Sequence, residues 1–104
     1  LNTKNIKLNK EIKNSKSIYW MVSILIDKKS KITRDKLIKF LMKNKIDTRP
    51  VFPSLSKFPI WHKNFKSPKN SIHISKYALN LPSGISLTEI DVAYICYKIT
   101  KAFQ

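Results

Sequence analysis

The chain has 104 residues, a formal net charge of +15, a 42% hydrophobic fraction and a single cysteine, Cys96. That length suits one small domain with a modest core, and the apolar and aromatic content excludes a disordered tail. A lone cysteine excludes an intramolecular disulfide and a zinc site built on several cysteines, and it points to a reducing, cytoplasmic setting. The charge has two readings. A nucleic acid or another anionic surface would be drawn to it. However, lysine supplies nineteen of the 21 basic residues and is scattered through nearly every segment. Isoleucine and asparagine are also abundant, and all three have A/T-rich codons, so compositional bias outweighs a nucleic-acid site. The chain opens on Leu1, which suggests a fragment, a processed product or a trimmed sequence.

Residues 1–16 are polar, with lysines at 4, 7, 10, 13 and 16, and read as a lead-in or linker with local extended structure at most. The run Ile18–Ile26 is rich in β-branched and aromatic residues and predicts a central strand covered on both faces, with Trp20 in the core. Its nine residues include Ser23 and are too few to span a bilayer as a helix, and no small-residue cleavage site follows. Thr33 can cap the next helix. From Arg34 to Lys45, Leu37, Ile38, Leu41 and Met42 make one stripe at helical spacing, flanked by Phe40 and Ile46. Asp47 and Pro50 end that pattern, and residues before a proline avoid the α region, so Thr48, Arg49, Val51 and Phe52 are expected to be extended.

Residues 53–70 carry three prolines with Phe58, Trp61 and Phe65, and read as an ordered loop. A short helix is expected over 71–79, with Ile72, Ile74 and Tyr77 partly inward, then a turn at Asn80-Leu-Pro-Ser-Gly84. Ser86-Leu-Thr-Glu89 matches a capping box, which starts a final helix over 87–102. Val92, Ile95, Cys96, Ile99 and Phe103 fall on one side of that helix. Ile90, Tyr94 and Tyr97 fall on the other, which points to a missing partner surface. The expected order is β-α-β, then loop and short helix, then helix: an α/β, more closely an α+β two-layer, arrangement.

The chemistry is sparse. His62 and His73 lie on different elements without metal-ligand spacing, no acidic pair is placed for acid–base work, and Cys96 sits mid-helix as a small core residue. Trp61 on its loop is as consistent with packing on a partner or ligand as with core. Arg49, one of two arginines, stands in Ile46-Asp-Thr-Arg-Pro-Val-Phe-Pro53. A planar forked donor there could bridge to Asp47 or to a helix C-terminus. It could also bind a carboxylate or phosphate, although the residues by themselves favour the structural bridge slightly.

The segments Tyr19-Trp-Met-Val22, Thr33-Arg-Asp-Lys-Leu37, Ile46-Asp-Thr-Arg-Pro-Val-Phe52, Ser75-Lys-Tyr-Ala-Leu-Asn-Leu-Pro-Ser-Gly84 and Leu87-Thr-Glu-Ile-Asp-Val-Ala-Tyr-Ile95 are collinear. Together they resemble the C-terminal small domain of the DegT/DnrJ/EryC1/StrS sugar aminotransferases, over residues 18–103 and nearest the perosamine-synthase-like branch. The resemblance implies a small C-terminal domain at 17–104, a short sheet covered by helices. It implies an enzyme dependent on pyridoxal 5'-phosphate that moves an amino group from glutamate to a 4-keto-6-deoxy nucleotide sugar, for cell-surface polysaccharide precursors. It implies that the Schiff-base lysine and phosphate site belong to a large domain, so that this chain alone has no catalytic residue and should not transaminate. The implied partners are that large domain and a homodimer partner, with no membrane. Arg49 and Phe52 match the family's Arg-Pro-x-Phe segment near the substrate, Ser56 stands where members often have histidine, and Trp61 falls in the loop toward the sugar nucleotide. Two competing readings are a stand-alone basic module binding nucleic acid through Trp61 or Tyr19, and a truncated remnant without activity.

Overall fold

The computed structural model describes residues 3–60 and 68–104. Four strands, β1 (Ile6–Leu8), β2 (Val22–Ile26), β3 (Arg49–Pro50) and β4 (Ala78–Leu81), form one sheet in the order β1-β2-β4-β3. Every pairing is antiparallel. Helices α1 (Arg34–Lys43), α2 (Lys69–Tyr77) and α3 (Glu89–Ala102) complete an α+β two-layer domain. No helix among the described residues is long and apolar enough to cross a membrane.

Alternation divides the sheet. Ile24 pairs with Leu79 and Leu8, Ile26 with Ile6, and Val22 with Leu81, so one face is wholly apolar. Leu37 and Leu41 of α1 and Ile95 and Ile99 of α3 bury against it. Full burial of each such side chain contributes about 1.5–3 kcal/mol. The other face carries Ser23, Leu25, Ala78 and Asn80, with Arg49 directly opposite Asn80. There α2 lies against β2, tied to α1 by Arg34, whose Nη1 donates to the Ser75 carbonyl at 2.6 Å.

Several expectations change. Local extended structure within the lead-in is β1, which makes the edge of the sheet. The strand predicted from Ile18 begins only at Val22. Tyr19 adopts a positive φ of 47°, outside the extended region, and this breaks the run. Trp20 is accordingly 69% exposed and outside the core, its carbonyl accepting a 2.8 Å hydrogen bond from Ser83 Oγ. The turn expected at Asn80 is instead the end of β4, a central strand, because pairing with β2 decides the conformation of Ala-Leu-Asn-Leu. Met42, Ile72, Ile74 and Val92 are exposed where they were expected to face inward.

The ends of the helices are set locally. Thr33 caps α1, accepting from Lys36 N at 3.3 Å. At the other end Ile46 N donates to the Leu41 carbonyl and Lys45 N to that of Met42, both at 3.0 Å, with Lys45 at φ 61°. This is a Schellman closure with lysine where glycine is commonest, and it seats Ile46 in the core beside Leu41. It also turns the chain directly into Asp47-Thr48-Arg49. The capping box of α3 exists two residues later than expected, with Thr88 as cap and Asp91 reaching back.

Candidate functional site

Because β3 is only two residues long, β4 has no strand partner on its β3 side beyond Asn80. A groove of about 670 Å³ opens at this edge, between the end of α1, β3 and the first turns of α3. Arg49, Asp47, Asn80, Tyr94, Asp91 and Met21 are among the residues that line it. Tyr94 spans part of it, its hydroxyl donating to the Asn44 carbonyl at 3.4 Å. On the α2 side of β4 lies a second cleft of about 340 Å³, walled by Phe52, Ser54, Ser23 and Ile74. Met21 and Asn80 line both concavities.

Arg49 is held in place by the strand, with its side chain left outward. Its Nη2 donates to Asp47 Oδ2 at 3.0 Å, and the two side chains are 78% and 70% exposed. An exposed pair of this kind contributes about 0–1 kcal/mol, so an incoming anion can take the place of Asp47 at little cost. Asp91, by contrast, is committed. Its Oδ2 accepts from Thr88 N at 2.9 Å and from Thr88 Oγ1 at 2.6 Å. These bonds, the side-chain one foremost, hold its carboxyl below the usual aspartate value. Asp91 therefore remains charged and fixes the start of α3 at the groove wall.

The structure separates the residues singled out by sequence. Arg49 lines the edge groove and Phe52 the second cleft, and Asn80 stands between them. Ser56 lies in the 3-10 turn Leu55–Lys57, its hydroxyl 2.9 Å from that of Ser54, which faces the cleft. Trp61, with His62 and Phe65, lies outside the described residues. Sequence reasoning missed Asn80 and Met21 as site residues. Alternation along 78–81 would have put Asn80 opposite the buried Leu79 and Leu81, had that segment been read as a strand.

Among the described residues every lysine except Lys98 is exposed, and Lys98 Nζ lies over the rings of Tyr94 and Tyr97 at 5.3 and 5.8 Å. These residues therefore provide no buried lysine facing an acidic partner, and they do not fit the covalent anchoring of pyridoxal phosphate. What they do provide is an exposed arginine at the open edge of the sheet. Along α3, Ile90, Tyr94 and Tyr97 are also exposed, Tyr94 at the groove itself.

A model of the DegT/DnrJ/EryC1/StrS aminotransferase family matches residues 2–100. A GDP-perosamine synthase of Escherichia coli O157:H7 is 32% identical over 99 residues, covering 95% of this chain and 27% of that protein. A GDP-perosamine synthase of Vibrio cholerae is 32% identical over 103 residues, covering 95% of this chain and 28% of that protein. The chain thus spans a little over a quarter of the length of these relatives. With a family match over nearly its whole length and the predicted α+β small-domain architecture in place, the chain belongs to the DegT/DnrJ/EryC1/StrS aminotransferase family.

Proposed function

We propose that this chain is the small-domain portion of a pyridoxal-phosphate-dependent aminotransferase acting on a nucleotide-linked 4-keto-6-deoxy sugar, a precursor of cell-surface polysaccharide. The observation that carries the proposal is the placement of Arg49: on the open edge of the sheet, at a groove, free of any buried structural duty. A guanidinium fork there can take a phosphate or carboxylate oxygen. The names of the two relatives support a GDP-linked sugar.

In this reading the chain binds and orients substrate, with Arg49, Phe52, Ser56 and Trp61 as its substrate-side residues. The remainder of the enzyme holds the cofactor, which supplies the amino-carrying chemistry, with glutamate as donor. The partners are a large domain and a second subunit, and the exposed Ile90, Tyr94 and Tyr97 are available to cover one of them. The setting is cytoplasmic, and the isolated chain does not transaminate.

The test is a chimera in which this chain replaces the matching segment of the E. coli relative. Amino transfer to a GDP-linked 4-keto-6-deoxy sugar should survive, and Arg49→Ala in the chimera should reduce kcat/KM by tenfold or more. A chimera that folds and takes up cofactor, yet transfers no amino group or is indifferent to Arg49→Ala, contradicts the proposal.

A further inference from the structure

Asparagine is poorly suited to a strand interior. In β4 it sits among Ala78, Leu79 and Leu81, all buried. Its side chain is half-buried on the opposite face, where the edge groove and the α2-side cleft meet. Its orientation is fixed by chemistry. Ser23 Oγ donates to Asn80 Oδ1 at 2.7 Å, and Asn80 Nδ2 faces Met21 Sδ at 3.3 Å. A thioether can accept but cannot donate, so the NH2 end must be the one that faces it. It is also a weak acceptor, which leaves the donor capacity of Nδ2 available to an oxygen.

Arg49 is the direct cross-strand neighbour of Asn80. Such neighbours have Cβ atoms about 5 Å apart on one face. The pair therefore presents a charged fork beside a neutral N–H donor. That combination matches a glycosyl phosphate, which carries anionic oxygens close to neutral hydroxyl or carbonyl oxygens.

We infer that Asn80 contacts the sugar: its carboxamide, oriented by Ser23, donates to a neutral sugar oxygen while Arg49 holds the neighbouring phosphate. The inference rests on reading the groove as the substrate side, and it adds a specificity residue to that reading. A residue that only braced the sheet would affect every ligand alike. Asn80 should instead affect the sugar and leave the nucleotide alone.

The test is calorimetric titration of the 104-residue chain with GDP-mannose and with GDP. The wild type should bind GDP-mannose more tightly than GDP. Asn80→Ala should weaken GDP-mannose roughly three- to tenfold, the size of one lost neutral hydrogen bond, with GDP unchanged. Arg49→Ala should weaken both. If Asn80→Ala unfolds the chain, Asn80→Leu keeps the side-chain shape and removes the donor without adding charge, and it should likewise abolish the preference for GDP-mannose over GDP. Wild-type binding with Asn80 variants that retain the full preference, or that lose both ligands equally, overturns the inference and spares the groove. Binding of neither ligand by the wild type overturns both.

Discussion

The two faces of the sheet differ in what their side chains touch. Under α1 and α3, Ile24, Ile26 and Leu79 are fully enclosed with Leu37, Leu41 and Ile99. On the other face and at the β3 edge, Ser23, Asn80 and Arg49 stand beside open grooves, where Ser23 bonds Asn80, Asn80 faces Met21 and Arg49 pairs with the exposed Asp47. The first region holds the domain together. The second can change partners without unfolding it. In the proposed reading, stability rests on the enclosed face and recognition on the polar residues at the β3 edge, and substitutions should separate them.

Leu41→Ala should cost the most, about 2–5 kcal/mol in urea unfolding, because a fully buried side chain leaves a cavity. Nucleotide affinity of the remaining folded molecules should not change. Arg49→Ala should do the reverse. Affinity for GDP-mannose should fall tenfold or more, while unfolding free energy stays within about 0.5 kcal/mol of wild type. An arginine whose loss unfolded the chain would break the comparison.

Smaller effects sharpen it. Thr88→Ala removes the cap of α3 and should cost about 1 kcal/mol. It should also change the acid limb of stability. Thr88 holds the folded Asp91 carboxyl below its unfolded value, so the unfolded chain binds more protons in that window. The contribution is complete above the unfolded value, about 3.9, and is lost as pH falls through the folded one. Thr88→Ala should flatten that part of the profile. Lys45→Gly should stabilise by roughly 0.5–1 kcal/mol, since a lysine at φ 61° occupies a conformation glycine adopts freely. Smallest of all, Ile90→Lys on the outer side of α3 should leave the chain's own stability within about 0.5 kcal/mol, because that side chain is 81% exposed.

What could be read from sequence follows the range of the signals. Thr33 and the Leu37–Leu41 stripe are local, and α1 appears where they place it. Two overlapping capping boxes, Ser86 with Glu89 and Thr88 with Asp91, fit equally well as strings, and only the backbone path selects the second. Ala78–Leu81 contains good helix formers, and only pairing with β2 and β3 makes it a strand. The apolar run at Ile18–Trp20 has the composition of a buried strand, but it is exposed, and composition does not report which surface a side chain meets. Arg49 was legible because it is a rare fork in a lysine-rich chain. Asn80 was not, because its meaning depends on a strand that had not been identified.

The central claim is that ligand binds at the open β3–β4 edge and nowhere on the sealed face. The most direct measurement is an amide chemical-shift titration of the chain with GDP-mannose. Saturable shifts should be confined to the amides of Asp47, Thr48, Arg49, Asn80 and Leu81 and of the first turns of α3, with the Leu37 and Ile99 amides unmoved. Shifts that follow the lysines across the whole surface, or that centre on Lys98 and Lys101, would contradict it.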